Sequence, residues 1–71
     1  MITLTDGKKT AEIIVKQNGK DYTKEFLKGQ GIIPNRKNAA PVPDIDEIVN
    51  AMIEFEDQDP ENHECEVTFL M

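Results

Sequence analysis

The residues of this chain that could carry chemistry are concentrated in one short segment, 54-EFEDQDPENHECE-66. Its thirteen residues hold seven carboxylates, together with the only histidine and the only cysteine of the chain. Such a composition suits a metal site, an acidic surface that imitates a polyanion, or simply the acidic end of a helix and the turn that follows it. The spacing of the side chains helps to distinguish these interpretations.

A calcium loop of the EF-hand type would have to begin at Asp57. Asp59 and Glu61 would then stand at the third and fifth positions of the loop. However, Asn62 would replace the glycine of the sixth position, and Thr68 would replace the bidentate glutamate of the twelfth. A proline and a predicted strand inside the loop are further departures, so we expect no calcium site.

His63 and Cys65 alternate onto the same face of a predicted strand and could supply two ligands to a transition metal. A structural zinc site needs four ligands, and the chain has no other histidine or cysteine. As a base and a nucleophile the pair lacks an orienting third group, and the surrounding acids should raise the thiol pKa. We therefore expect no metal, no cofactor and no enzymatic activity.

The charges of the chain are divided between its two parts. All eight lysines and arginines lie within residues 1–43, together with four acids, whereas residues 44–71 carry ten acids and no lysine or arginine. With a net charge of −6, the protein should attract basic protein surfaces and repel nucleic acid and anionic membranes. We expect neither nucleic-acid binding nor membrane association.

Length and composition indicate the class of protein. A chain of 71 residues is expected to form one domain over residues 1–71, with too little buried surface for a deep catalytic pocket. A single cysteine does not fit the disulfide framework of small secreted domains. The N-terminus lacks the pattern of a signal peptide, and no segment approaches the roughly 18 apolar residues of a membrane span. These features predict a cytoplasmic protein.

Two dipeptides, Asp6-Gly7 and Asn18-Gly19, predict tight turns, because both central positions of such turns need positive φ. They divide residues 1–27 into a three-stranded β-meander, in which Ile2 would face Ala11. The two turns independently place the apolar residues on one face of the sheet. The members of this face are Ile2, Leu4, Ala11, Ile13, Val15, Tyr22 and Phe26.

The third strand of this meander has a competing interpretation. Residues 21–29 would instead form a short helix, with Asp21 as its N-cap and Gly29 at its end. The choice matters for the register, because in the strand interpretation Glu12 would lie opposite Glu25 and the two charges would repel each other. The sequence leaves both structures open.

Residues 28–43 contain three prolines and two glycines without periodicity and are predicted to form a connector. Ile32 and Ile33 are expected to pin it to the core. Arg36 and Lys37 stand out as exposed polar residues. They suit either a solvated loop tip or a contact with an anion or a carboxylate.

Residues 44–58 carry the clearest helical pattern. Asp44 and Glu47 come close to a capping box, and acids in the first turn favour the helix dipole. Acids such as Glu54 and Asp57 lie at the negative end of that dipole, where no basic residue of the same segment offsets them. The apolar stripe consists of Ile45, Ile48, Val49, Met52 and Ile53, with Phe55 on its edge.

Residues 64–71 alternate between polar and apolar side chains and predict a C-terminal strand. A strand that follows a helix and an earlier strand suggests a right-handed parallel crossover. The predicted fold class is therefore α+β. It consists of a small four-stranded sheet in βββαβ order, with one amphipathic helix packed on one face.

The charge pattern favours recognition of a protein. We expect a small acidic interaction or regulatory module that docks its acidic helix and the following turn on a basic partner surface. Small acidic proteins of phages and mobile elements, including inhibitors of bacterial defence, share this size and charge, which is an analogy and not a sequence match. In the plainer interpretation the acids only keep the domain in solution. The expected partner-binding residues are Asp46, Glu47, Glu54, Glu56, Asp57, Asp59 and Glu61.

The alternative function is that of a homodimeric structural protein. A small open sheet has two edges that can pair with another strand. The uncovered face of the predicted sheet would present Ile14, Leu27 and Leu70. Self-association through that edge or that face would depend on shape and buried area rather than on charge.

Overall fold

The computed structural model of the protein describes residues 1–34 and 38–70. It contains a mixed five-stranded sheet and two helices, which confirms the predicted α+β class. The element order is βββαβαβ, with one more strand and one more helix than predicted. In chain order the elements are β1 (Ile2–Thr5), β2 (Thr10–Gln17), β3 (Lys20–Asp21), α1 (Thr23–Gly29), β4 (Ala40–Pro41), α2 (Ile45–Gln58) and β5 (His63–Leu70).

β2 is the central strand of the sheet. One of its edges pairs antiparallel with β5 along its whole length, from Thr10 opposite Leu70 to Gln17 opposite His63. Because a strand has only two edges, β1 and β3 share the other edge, where β1 pairs with the first half of β2 and β3 with its last two residues. The short β4 pairs parallel with β1 on the outside.

The β1–β2 hairpin differs from the predicted register by two residues. Ile2 lies opposite Ile13 and not opposite Ala11. The loop spans residues 6–9, because Asp6 Oδ1 accepts hydrogen bonds from two main-chain N–H groups of the loop and so stabilises a wider turn. A shift of two residues keeps every side chain on its face. The predicted apolar residues of these two strands are all buried: Ile2, Leu4, Ala11, Ile13 and Val15.

The predicted third strand is wrong beyond its first two residues. The chain leaves the sheet after Asp21 and forms α1, which ends at Gly29 as the competing interpretation expected. The buried Thr23 explains the change, because its hydroxyl accepts the hydrogen bond of Val15 N–H (2.9 Å) that a continuing strand would have received. Asp21 Oδ1 in turn accepts hydrogen bonds from the main-chain N–H (3.0 Å) and the hydroxyl (2.7 Å) of Thr23.

The predicted connector over residues 28–43 includes the end of α1 and the whole of β4. Ile32 is buried as expected, but Ile33 is 85% exposed, so only one of the two predicted anchors holds. β4 replaces the second anchor, since Ala40 and Val42 are buried and Val42 N–H donates to the carbonyl of β1 at 2.9 Å. The predictions for Arg36, Lys37 and Met71 lie outside the described residues.

β5 runs in the predicted direction but not beside the predicted neighbour. β3 and β5 are both antiparallel to β2, so they are parallel to each other on opposite edges. β4 is parallel to β1, which is itself antiparallel to β2, so β4 and β5 also run in the same direction. α2 therefore carries the chain from one edge of the sheet to the other, and the hydrogen-bonded neighbour of β5 is antiparallel.

Both helices contribute to one buried cluster with the inner face of the sheet. α2 is rotated slightly from the predicted stripe, so that Phe55 packs against the core whereas Ile53 is 53% exposed. The rotation follows from α1, because Phe26 and Leu27 of that helix are buried and provide apolar surface on the Phe55 side. No helix in the described part of the chain is long and apolar enough to span a membrane.

Candidate functional site

α2 carries most of the predicted binding residues, and its N-terminus is capped from two directions. Asp44 Oδ1 accepts a hydrogen bond from Asp46 N–H at 2.9 Å. Asp6, from the β1–β2 loop, accepts from Ile45 N–H at 3.1 Å through its Oδ2. Hydrogen bonds from main-chain N–H groups, first that of Lys9 and then that of Ile45, lower the pKa of Asp6 to about 2. The start of the acidic helix is thus held by charged side chains.

Asp46 is neutralised within the monomer. Lys9 Nζ lies 2.9 Å from Oδ2 and 3.1 Å from Oδ1 of this carboxylate, and both side chains are about half exposed. The contact raises the pKa of Lys9, although exposed ion pairs of this kind stabilise a fold only slightly. Asp46 is therefore an ion-paired acid and not a free one, and its role in partner binding stays a prediction.

Asp59 has a structural role in the turn after α2. Its carbonyl oxygen accepts hydrogen bonds from Asn62 N–H at 3.1 Å and His63 N–H at 2.9 Å. Its carboxylate also accepts from Asn62 Nδ2 at 2.9 Å. Replacing Asp59 would disturb the turn as well as the charge, so it is a poor probe of partner binding.

Glu56 points away from the other helix acids, toward β5. It is partly buried, and its negative charge contributes to raising the pKa of the Cys65 thiol on that strand. The predicted row of carboxylates is thus divided by the helical repeat, because residues two apart on a helix lie on different faces.

Apart from the ion-paired Asp46, four of the seven predicted residues are exposed. Three follow one side of α2 by helical spacing and the fourth comes in the turn after the helix. We call these four residues the acidic surface: Glu47, Glu54, Asp57 and Glu61. Among the described residues none of the four has an ion-pair partner, since the single ion pair there joins Lys9 to Asp46. The last turn of α2 has no basic residue, so the negative helix end adds to the negative potential. These four carboxylates are thus exposed and without an ion pair among the described residues, and their role in binding a partner stays a prediction.

Phe55 is the centre of an aromatic cluster behind this surface. Its ring stacks on His63 with a centroid distance of 3.8 Å and on Tyr22 at 5.6 Å. Phe26 packs edge-on against it at 5.5 Å. The cluster ties α1, α2 and β5 together, and it holds the helix end in place.

His63 is a buried structural residue. Its Nδ1 lies 2.6 Å from the carbonyl oxygen of Phe55, which can only accept, so Nδ1 carries a proton. In the neutral ring Nε2 then accepts a hydrogen bond from Gln17 Nε2, 3.3 Å away. Nδ1 therefore holds β5 to α2, and Nε2 links β5 to β2 within the sheet.

Cys65 lies on the same face of β5 as His63, as predicted, and is also engaged. Its thiol donates a hydrogen bond to the Met52 carbonyl oxygen at 3.4 Å. Burial, and next the charge of Glu56, raise its pKa to about 11. The prediction that nearby acids would raise this pKa is confirmed. At neutral pH the thiol is protonated and poorly nucleophilic.

Residues 1–34 and 38–70 contain no group of three or more His, Cys, Asp or Glu side chains placed to hold one metal ion. His63 and Cys65 contact main-chain carbonyl oxygens of α2 instead of each other. The two predicted candidate ligands are therefore explained by their roles in packing.

A groove of about 270 Å³ lies between α1 and α2. Apolar side chains of both helices form its inner wall, and Glu25 and Glu54 lie on its two sides. Sequence reasoning missed this feature, because it needs α1, and the strand interpretation of residues 20–27 removes that helix. The helical spacing of Tyr22, Phe26 and Gly29 was the signal that could have indicated it.

The outer edge of β5 is the second exposed feature. Within the described residues β5 pairs only with β2, so its other edge is open along eight residues. Phe69 is 53% and Leu70 39% exposed near the end of this strand. Leu27, expected on the open face, is instead fully buried, which leaves that face less apolar than predicted.

Comparisons with known proteins do not assign this site. No protein-family model matches the chain, and neither a curated protein nor a solved structure gives a match.

Proposed function

We propose that this protein is a small cytoplasmic interaction or regulatory module that docks the acidic surface on a basic surface of a protein partner. The acidic surface consists of Glu47, Glu54, Asp57 and Glu61. By occupying a basic surface, the module would compete with whatever anionic ligand that surface normally binds. No cofactor takes part in this proposal.

One observation carries the proposal: the four carboxylates have no ion-pair partner among the described residues, although the chain contains eight lysines and arginines. One of the four, Asp57, lies in the last turn of α2, where the helix dipole makes a carboxylate unfavourable by about 0.3–1 kcal/mol. A basic partner would offset this cost. A surface selected only for solubility would have no reason to place its charge at the unfavourable helix end.

The experiment is charge reversal on the acidic surface. Immobilised wild-type protein should retain a basic protein from a lysate of the native host, and the purified partner should bind less tightly as salt is added. The double variant Glu54→Lys/Asp57→Lys should bind the same partner at least about tenfold more weakly, with a smaller salt dependence.

A matched control separates this local effect from net charge. The double variant Glu12→Lys/Glu66→Lys changes the net charge by the same amount, but its residues lie on the outer face of the sheet. It should keep most of the affinity. If both double variants bind equally well, or if both lose affinity to the same degree, the acidic surface is not the docking site.

A second candidate function, a homodimer, is favoured by the open edge of β5. An antiparallel pair of β5 strands centred on Val67 would place Glu66 opposite Thr68 and Cys65 opposite Phe69, so that no carboxylate faces another. Such a pair would cover the exposed Phe69 side chain. Sedimentation velocity at micromolar concentration should then show a dimer that Phe69→Lys dissociates. A monomer across that range of concentration would exclude this candidate.

A further inference from the structure

The groove between α1 and α2 has the dimensions and walls of a site for one side chain. Its volume is about 270 Å³, close to the lower end of ligand pockets. Its apolar walls are formed by Tyr22 at the N-cap of α1, by Phe26 of α1, and by Ala51 and Phe55 of α2. These residues are buried or half-buried, so the groove is part of the folded core surface and not a gap between mobile side chains.

The glutamate and glutamine side chains around this groove all offer hydrogen-bond acceptors. Glu25 stands on α1 and Glu54 on α2, both exposed and without an ion-pair partner among the described residues. The side-chain amides of Gln30 and Gln58 complete the lining and each offers one carbonyl oxygen. Two like charges on facing helices repel each other, and a cation placed between them would relieve that repulsion.

We propose that this groove binds the guanidinium side chain of an arginine, supplied by the basic partner of the proposed function on which this inference rests. The aliphatic part of the arginine packs along Tyr22 and Phe55, and the guanidinium group bridges Glu25 and Glu54. Five N–H donors in a planar group can serve two carboxylates and two amide oxygens together, whereas the ammonium group of lysine has three donors.

The aromatic residues of the groove already stack on one another, and this limits how they can contribute to arginine binding. The ring of Phe55 stacks on His63 and on Tyr22. These contacts cover the faces of the Phe55 ring, so that only its edge borders the groove. We therefore assign the attraction of the guanidinium group to the carboxylates, and the packing of the aliphatic chain to the rings. Cation–π binding to an open aromatic face is not part of the proposal.

The test uses a small probe and the intact protein. Amide chemical shifts of the wild-type chain are followed by NMR during titration with N-acetyl-arginine amide. N-acetyl-citrulline amide is the neutral probe of matched shape. The arginine probe should shift the amides of Tyr22, Gly29, Ala51 and Gln58, and the citrulline probe should leave them in place.

Variants then locate the binding. Glu54→Gln and Glu25→Gln should each weaken the arginine probe by roughly fivefold, the upper range for a solvent-exposed ion pair. Glu66→Gln removes the same charge from β5, away from the groove and from the acidic surface, and should bind the arginine probe like the wild type. Equal shifts with citrulline, an unchanged affinity in Glu25→Gln, or equal binding of N-acetyl-lysine amide would each overturn the proposal.

The probe experiment is independent of any partner protein. If the arginine probe binds the groove but no basic protein is retained by the acidic surface, the groove stands and the proposed function fails. If a basic partner binds with no shift at the groove amides, the proposed function stands and the groove is not its arginine site.

Discussion

Asp6 caps a helix that begins 39 residues later in the chain: its Oδ2 accepts a hydrogen bond from the main-chain N–H of Ile45 at 3.1 Å. The other carboxylate oxygen accepts from Lys8 N–H and Lys9 N–H. One side chain therefore organises the β1–β2 loop and orients α2 relative to the sheet. Because three of the four residues of the acidic surface lie on α2, their position depends on this contact.

Asp6→Ala should lower the melting temperature at neutral pH, because three main-chain N–H groups lose their acceptor. Acidification tests the same contact. The folded protein lowers the pKa of Asp6 from 3.8 to about 2, so its stabilisation is complete above pH 4 and is lost as the pH falls from about 4 to about 2.

Thermal unfolding followed by circular dichroism at several pH values measures this effect. The stability difference between wild type and Asp6→Ala should shrink as the pH falls through that window. A difference that stays constant down to pH 2 would contradict the assigned role of the ionised carboxylate.

Asp57→Lys should stabilise the protein, because it places a positive charge at the C-terminal end of α2, where no basic residue is present. The expected gain in unfolding free energy is about 0.5 kcal/mol in urea denaturation at low salt, and it should decrease at high salt. Asp57→Lys is also one half of the double variant that should weaken partner binding. Because this substitution is expected to stabilise the fold, weaker binding of the double variant would not be due to unfolding. Asp46→Lys is the opposite control, because at the N-terminal end it also breaks the contact with Lys9 and should destabilise.

Phe55→Ala should cost about 2–3 kcal/mol of unfolding free energy, since it removes the ring that contacts Tyr22, Phe26 and His63. Ile53→Ala, two residues earlier on the same helix, should cost only about 0.5 kcal/mol, because that side chain is 53% exposed. Urea denaturation of both variants makes the comparison. Similar costs for the two would contradict the rotation of α2 described above.

Thr23→Val should destabilise the protein by about 1–3 kcal/mol, because the isosteric methyl group cannot accept the hydrogen bond of the buried Val15 N–H. Thr23→Ser keeps the hydroxyl group and should cost less than Thr23→Val. Hydrogen exchange at the Val15 amide provides a local readout and should speed up only in the valine variant. An unchanged exchange rate there would show that the hydroxyl contact is not formed.

Cys65 should react slowly with iodoacetamide at neutral pH, because the folded protein raises the pKa of its thiol from 9.0 to about 11. Glu56→Gln should lower this pKa and shift the rate profile toward lower pH, since the carboxylate charge is one of its two causes. Burial, the larger cause, remains in the variant, so the shift should be partial. A profile that is identical in both proteins would contradict the placement of Glu56 beside the thiol.

Capping residues and apolar spacing predicted the structure correctly where a segment's structure depends on its own residues. Asp44 and the apolar spacing after it predicted α2 to within one residue of its start. The apolar faces of β1 and β2 were also predicted correctly, although their register was displaced by two residues, because a shift of two leaves the face unchanged. The acids of the helix were assigned to the protein surface for the same local reason.

The sequence alone determined the α+β class, the α2 helix and the concentration of negative charge after residue 43, since these depend on composition and on short-range periodicity. Only the tertiary structure decided that residues 23–29 form a helix, because that choice depends on the buried hydroxyl of Thr23 meeting Val15 across the chain turn. It likewise decided which acids remain free, because Lys9 reaches Asp46 from a loop 37 residues away. Contacts between residues far apart in the chain leave no periodic pattern in the sequence. The division of the carboxylates into ion-paired, structural and exposed groups depends on such contacts, so the sequence alone did not predict it.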